Sequence, residues 1–126
     1  MNVLLISANQ EKLPSPVAPI GLLYLAEILR KENYKVNIFD FCVSLITSLP
    51  KKIQEFNPDV IGISIRNIDN LSYPDIIFYL PKIKEIVDFI RANKTCEIVI
   101  GGSAFSLFPE DILKQTNCNI GVIGEG

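Results

Sequence analysis

The stretch Val60–Ile65, VIGISI, decides the fold: it is a short, nearly continuous apolar run rich in isoleucine and valine. Such a run predicts a strand that is buried on both faces, as strands of parallel sheets are. Four further short runs predict strands at Asn2–Ser7, Val36–Asp40, Glu97–Ile100 and Ile120–Ile123. Five strands of this kind indicate a parallel sheet covered on both sides.

Helical periodicity fills the intervals between these runs. Helices are predicted at Ile20–Asn33, Ser44–Phe56, Pro81–Asn93 and Pro109–Thr116, the second of them broken at Pro50. The leucine stripe of the first helix is expected in the core. Regular alternation of strand and helix predicts an α/β fold: a doubly wound, five-stranded parallel sheet between two helical layers, Rossmann-like or flavodoxin-like, with strand order 2-1-3-4-5.

Composition narrows the function classes. The 126 residues are expected to form one domain, 1–126, and 48% hydrophobic residues exclude a disordered chain. A formal net charge of −2 argues against nucleic-acid binding. No apolar run is long enough for a membrane span, and no signal-peptide pattern is present. The expected location is therefore the cytosol.

The chain contains no histidine, the commonest general base and metal ligand. Its three cysteines, Cys42, Cys96 and Cys118, lie too far apart in sequence for a C-x-x-C motif. We expect three reduced thiols, and we predict neither a catalytic residue nor a metal ligand.

Ligands of such sheets bind beyond the carboxyl ends of the strands. The segments there are Ala8–Ala18, Arg66–Tyr79, Gly101–Phe108 and Gly124–Gly126, and the first two are longer than the usual connection. None carries a dinucleotide fingerprint or a phosphate-binding loop, and the acids of a phospho-acceptor domain are missing. The glycines at the strand ends instead predict a large ligand held mainly by backbone and shape.

Five motifs, taken in order, resemble the cobalamin-binding domain that precedes the radical S-adenosylmethionine (SAM) core in cobalamin-dependent radical SAM proteins. They are Pro19–Ala26 (PIGLLYLA), Tyr34–Asp40 (YKVNIFD), Pro58–Ser64 (PDVIGIS), Ile98–Gly102 with the later Phe108–Glu110, and Gly124–Gly126 (GEG). The resemblance implies that the corrin ring of cobalamin lies across the carboxyl ends of the strands. It also implies that the segments after the first, third, fourth and fifth strands hold the corrin, and on this basis we predict the cofactor-binding residues Ser7, Ala8, Asn9, Ser64, Ile65, Arg66, Asn67, Gly101, Gly102, Ser103, Phe105, Gly124, Glu125 and Gly126. For Ser64 and Ser103 a locally bonded hydroxyl is the alternative, and for Glu125 a solvent-facing turn.

Without histidine the chain has no imidazole for cobalt, and the resemblance favours a base-off, histidine-off cofactor. Arg66 is a hypothesis for the lower cobalt face, with a surface ion pair as the alternative. Tyr73 and Phe108 are candidates to flank the corrin, although core packing suits Phe108 as well. The C-x-x-x-C-x-x-C motif of radical SAM proteins is absent. The resemblance therefore implies a [4Fe-4S] cluster and SAM only in a further domain, where the whole protein would most often transfer a methyl group.

Two other functions stay open at this point. One is a degenerate domain that no longer binds cobalamin and docks a substrate or partner. The other is a stand-alone flavodoxin-like regulatory domain. The last predicted strand has no helix after it, so one side of the sheet is expected to expose apolar surface and to favour self-association.

Overall fold

The computed structural model describes residues 1–12, 15, 17–67 and 80–124. Within these ranges five parallel strands form one sheet in the order β2-β1-β3-β4-β5, which confirms the predicted topology. The strands are β1 (Asn2–Ser7), β2 (Lys35–Asp40), β3 (Val60–Ser64), β4 (Glu97–Gly101) and β5 (Ile120–Gly121). The last strand is half as long as predicted, and only its first two residues pair with β4.

The helices are α1 (Ile20–Lys31), α2 (Leu49–Phe56), α3 (Leu80–Asn93), α4 (Ser103–Leu107) and α5 (Pro109–Thr116). Pro50 does not break a helix as predicted. It lies in the first turn of α2, where its missing N–H is not needed, and a single 3-10 turn precedes it. Helix α4 falls inside a segment predicted as a loop, because five residues are too few to show helical periodicity. No helix in the described ranges is long and apolar enough to span a bilayer.

The two faces of the sheet are packed very differently. On one face the strands meet α2, α3 and α5 in a cluster of twenty buried residues, among them Ile61, Ile63 and Ile100. On the other face α1 is the one helix that packs among the described residues, and the buried cluster there is small: Val3, Leu5, Leu22 and Ala26. The first face therefore supplies most of the apolar burial that stabilises the fold.

Helix α1 covers only part of its face of the sheet. Leu22 and Ala26 are buried, whereas Leu23 is 48% exposed, so the leucine stripe is core only in part. A second stripe, at a spacing of four residues, is formed by Ile20, Tyr24 and Ile28, and all three are exposed. The sheet beside this stripe is the floor of the site described next.

Candidate functional site

An apolar groove of about 570 Å³ runs along the sheet beside α1. Its floor is made of strand residues, one wall is α1, and the other wall is the segment that follows β5. The lining residues are Leu5, Gly62, Ile63, Ser64, Val99, Gly101 and Gly102 from β1, β3, β4 and their ends, Gly21, Leu22, Tyr24, Leu25 and Ile28 from α1, and Val122 and Gly124 after β5.

The register of the strands places small residues side by side on this floor. Gly62 pairs with Leu5 and Val99, and Ser64 pairs with Ser7 and Gly101. Since alternate residues of a strand share a face, Gly62 and Ser64 both point into the groove. A Cβ atom at position 62 would lie 3.0 Å from Cδ2 of Leu5. Because Gly62 has no side chain, the groove is deeper at this position.

A second cavity of about 290 Å³ lies at the carboxyl ends of β1 and β3. It shares Ser64 with the groove, so the two hollows adjoin each other. Polar residues line part of it, namely Ser7, Asn9, Ser64 and the exposed Arg66, and the rest of its lining is the apolar run from Val17 to Leu22. The site thus combines an apolar trough with a partly polar mouth at the edge where ligands of such sheets bind.

The turn between β4 and α4 requires glycine. Gly102 has φ 101°, and a Cβ atom there would lie 2.5 Å from the carbonyl oxygen of Ile65. This close approach allows two backbone hydrogen bonds: the Ile65 N–H donates to the Gly101 carbonyl at 2.8 Å, and the Ala104 N–H donates to the Ile65 carbonyl at 3.0 Å. The Ser103 hydroxyl adds a bond to the Arg66 carbonyl at 3.0 Å. The ends of β3 and β4 are therefore held together.

Ser106 in α4 joins the β4 turn to the segment after β5. Its hydroxyl donates to the Gly102 carbonyl at 3.1 Å and accepts the Gly124 N–H at 2.8 Å. Sequence reasoning missed this residue, because it lies in the segment predicted as a loop and no motif marks it.

The first residues after β1 are held by Ser64 and Cys42. The Ala8 N–H donates to the Ser64 carbonyl at 3.1 Å, and the Cys42 thiol donates to the Asn9 carbonyl at 3.0 Å. Burial raises the pKa of the Cys42 thiol, and the negative charge of Asp40 raises it further. The thiol therefore stays protonated at neutral pH and acts as a donor.

Most of the predicted site residues within the described ranges come together. Ser7, Asn9, Ser64 and Arg66 line the mouth, and Gly101, Gly102 and Gly124 line the groove. Three other predicted residues are sequence neighbours of these lining residues but do not line either cavity. The side chains of Ala8 and Ile65 are buried, and Asn67 is half-buried. Ser103 is exposed and bonds the Arg66 carbonyl.

The aromatic candidates lie in different environments. Phe105 is 1% exposed and belongs to the cluster on the opposite face, so its ring does not line the groove. It packs against the backbone of Gly121, where a Cβ atom would collide with the ring. Phe108, in contrast, is 50% exposed. Tyr73, Glu125 and Gly126 lie outside the described residues.

Sequence reasoning also missed the wall that α1 contributes. Tyr24, Leu25 and Ile28 line the groove, although their spacing indicates an ordinary amphipathic helix. Among the described residues, no group of three histidine, cysteine, aspartate or glutamate side chains is placed to hold a metal ion.

A parallel, doubly wound sheet with an apolar groove on one face and a partly polar mouth at its carboxyl edge defines a class of small ligand-binding α/β domains. Within that class the chain belongs to the B12 binding domain family, whose model matches residues 6–126. The resemblance to cobalamin-binding domains of radical SAM proteins is thereby confirmed.

Two relatives give the family match more detail. The cytidylyl-2-hydroxyethylphosphonate methyltransferase of Streptomyces wedmorensis is 31% identical over 133 residues, which cover 90% of this chain and 23% of that protein. TsrM of Kitasatospora setae, a radical S-adenosylmethionine methyltransferase solved with cobalamin and a [4Fe-4S] cluster bound, superposes with a TM-score of 0.90. The superposed region is 28% identical in sequence and covers 99% of this chain and 22% of the TsrM chain. The chain thus spans about a fifth of the length of these relatives.

The same fold also occurs in a regulatory protein. The N-terminal domain of the nisin resistance regulator NsrR superposes with a TM-score of 0.59 at 14% identity, covering 99% of this chain and 86% of that one. This likeness concerns the fold alone. In this chain β1 and β3 end in Ser7 and Ser64, not in the acids that a phospho-acceptor site needs.

Proposed function

We propose that this chain binds cobalamin and serves as the cobalamin-binding module of a methyltransferase. The observation that carries the proposal is the groove whose floor is lowered by Gly62, Ser64 and Gly101 and which opens at the carboxyl edge of the sheet. A large cofactor with one flat, apolar part could place that part in the groove and the remainder over the broad carboxyl edge of the sheet. The family match supports cobalamin as that cofactor.

The residues present fit the two halves of cobalamin. The apolar groove suits the base of the nucleotide tail, because aromatic surface gains free energy when it leaves water. The corrin ring is too broad for the groove and, in the proposal, lies over the strand ends. There the hydroxyls of Ser7 and Ser64 and the amide of Asn9 offer partners for its peripheral amides.

We propose that the cofactor is held base-off and histidine-off. The base-off state follows from placing the base in the groove, and the histidine-off state follows from a sequence without histidine. Arg66 lines the mouth and is our candidate for the lower face of the corrin. A guanidinium offers no lone pair for cobalt, so Arg66 would exclude water there without coordinating. Bound cobalamin would supply a cobalt centre able to carry a methyl group.

The proposal extends to the whole protein by way of the relatives. Because both are methyltransferases and are several times longer than this chain, we propose that the module works beside a radical SAM domain. That domain would hold the [4Fe-4S] cluster and SAM. This chain would contribute no catalytic side chain and would hold and shield the cofactor.

The test is a titration of the 126-residue chain with hydroxocobalamin, followed by the visible spectrum and by retention through a desalting column. We expect retained cofactor with a base-off spectrum. Cobinamide, which lacks the nucleotide tail, is the matched ligand, and we expect it to bind at least about tenfold more weakly because it leaves the groove unfilled. If no cofactor is retained at a hydroxocobalamin concentration of about 50 μM, which would detect even weak binding, the proposal is contradicted and a degenerate docking domain is favoured.

Arg66 is tested by Arg66→Ala and Arg66→Lys in the same assay. If Arg66 shields the lower face, Arg66→Ala keeps the cofactor but shows the spectrum of a water-ligated cobalt, because the removed side chain leaves room for water. Arg66→Lys retains a long cationic side chain, so its visible spectrum should lie between those of the unsubstituted chain and Arg66→Ala. An unchanged spectrum in Arg66→Ala would place the guanidinium elsewhere.

A further inference from the structure

One side chain bridges the two backbone turns that border the groove. Ser106 donates its hydroxyl proton to the Gly102 carbonyl at 3.1 Å and accepts the Gly124 N–H at 2.8 Å. Both glycines have positive φ, 101° and 82°, and both line the groove. The hydroxyl therefore joins the end of the floor to the far wall.

That wall has few other attachments to the described part of the chain. Strand β5 pairs with β4 only through Ile120 and Gly121. Beyond it the Val122 N–H donates to the Ile100 carbonyl at 2.8 Å. After Val122, the bond from Gly124 to Ser106 is the next hydrogen bond in the described part of the chain. A Cβ atom at Gly124 would meet nothing within 4 Å, so no described group packs over that side of the residue.

We propose that Ser106 is a positioning residue for cobalamin: it sets the width of the groove by holding the Val122–Gly124 wall against the β4 turn. This inference rests on the proposed function, since the groove must take the cofactor for its width to matter. Ser106 itself is half-buried behind the turn and is not among the residues that line the groove, so it acts through Gly102 and Gly124.

A hydroxyl suits this task because it donates one proton and still accepts another hydrogen bond. Alanine at position 106 would lose both bonds, whereas threonine keeps the hydroxyl and can bond the carbonyl four residues earlier in the same way. The pair Ser106→Ala and Ser106→Thr therefore separates the loss of the hydroxyl from a mere change of side chain.

The experiment uses hydroxocobalamin as the probe and compares the unsubstituted chain, Ser106→Ala, Ser106→Thr and Ser48→Ala. Ser48 is the matched control, because its hydroxyl also bonds a nearby carbonyl, that of Leu45 at 2.7 Å, away from the groove. We expect Ser106→Ala to weaken binding about 3- to 10-fold, the effect of losing such bonds. Ser106→Thr should restore affinity to within about twofold, and Ser48→Ala should leave it unchanged.

The second readout needs no ligand. Hydrogen exchange at the Gly124 amide should speed up in Ser106→Ala and stay slow in Ser106→Thr, while the Val122 amide stays protected in both. A general loss of stability would instead speed both amides.

The outcomes separate the inference from the proposed function. If the unsubstituted chain binds cobalamin and Ser106→Ala binds it equally well, the inference is overturned and the proposed function stands. Equal weakening in Ser106→Ala and Ser48→Ala, or an unchanged Gly124 amide, also overturns it. If the unsubstituted chain binds no cobalamin, the proposed function fails and the inference fails with it.

Discussion

The two faces of the sheet are built from the same strands and have opposite characters. Toward α2, α3 and α5 the strands present large branched side chains such as Ile61, Ile63 and Ile100, all nearly inaccessible to solvent. Toward α1 the intervening positions of β3 and the end of β4 hold Gly62, Ser64 and Gly101. Among the described residues, side chains fill the first face, whereas on the second they pack only beside α1 and leave a groove over β3 and β4.

This difference shows how a strand of five residues serves stability and binding at once. Successive side chains point to opposite faces, so each residue contributes to one task only. In the segment Val60–Ser64, VIGIS, Ile61 and Ile63 supply the core while Gly62 and Ser64 shape the groove. A shift of register by one residue would exchange the two sets.

The largest expected effect is on the stability of the closed face. Ile100→Ala should lower the free energy of unfolding by about 2–5 kcal/mol, because it leaves a cavity in a close-packed cluster. Its neighbour Val99 faces the groove and is only half-buried, so Val99→Ala should cost about 1 kcal/mol or less. Urea unfolding of both variants measures this. Equal losses would mean that the two faces are packed alike.

A glycine pair gives the next largest effect. Gly102→Ala combines a positive φ with a collision against the Ile65 carbonyl, and we expect a loss of about 2 kcal/mol or more in stability. Gly21→Ala is the control, since it lies in α1 with no atom within 4 Å of its Cβ position. Alanine should stabilise that helix by up to about 1 kcal/mol. A tolerated Gly102→Ala would show that the turn relaxes more easily than its contacts indicate.

The groove itself is tested by filling it. Gly62→Leu should weaken hydroxocobalamin binding at least about tenfold, or about 1.4 kcal/mol. The fold should be retained, because the first obstacle is the movable end of Leu5, at 3.0 Å. Ile61→Val is the control, because Ile61 is buried in the cluster on the opposite face and does not line the groove. It should lower stability by about 0.5–1.5 kcal/mol without changing affinity. Unchanged binding by Gly62→Leu would move the ligand out of the groove.

The smallest effect concerns pH. Burial, aided by the charge of Asp40, raises the pKa of the Cys42 thiol above its ordinary 9.0, so folding favours the protonated form. The stability due to this thiol is full below pH 9 and is lost as pH rises through the folded pKa. Cys42→Ser should flatten the fall in unfolding free energy measured between about pH 8 and pH 11.

The pKa of the Cys96 thiol is also raised, mainly by burial, so we expect this thiol to contribute to the slope that remains in Cys42→Ser. A slope identical to that of the unsubstituted chain would mean that Cys42 titrates normally in the folded state.

The order of strands and the position of the site could be predicted from short runs of residues. Val60–Ile65 and its counterparts are apolar enough to mark a buried parallel sheet, and the chemistry of such sheets places ligands at their carboxyl edge. The residues that end those strands, such as Ser64 and Gly101, were therefore predictable members of the site. The motifs that resemble cobalamin-binding domains pointed to the same edge, and the family match agrees with them.

Other features could not be read from local patterns. Tyr24 and Ile28 have the spacing of a core stripe, and only the incomplete cover of the sheet by α1 makes them a groove wall. Phe105 is a candidate from the sequence because an aromatic ring could flank the corrin or its tail. The short helix α4 instead directs its ring through to the opposite face, where Gly121 leaves it room.

By itself, the sequence determined that the chain folds as an alternating α/β domain and that no histidine is available to a metal. Periodicity and composition are local properties, and they suffice for these conclusions. The tertiary structure alone decided which face of the sheet stays hollow and which side chains border the hollow. It also brought Ser106 between Gly102 and Gly124, eighteen residues from the latter. Those features depend on strand register and on how helices pack, which arise only when residues distant in sequence meet.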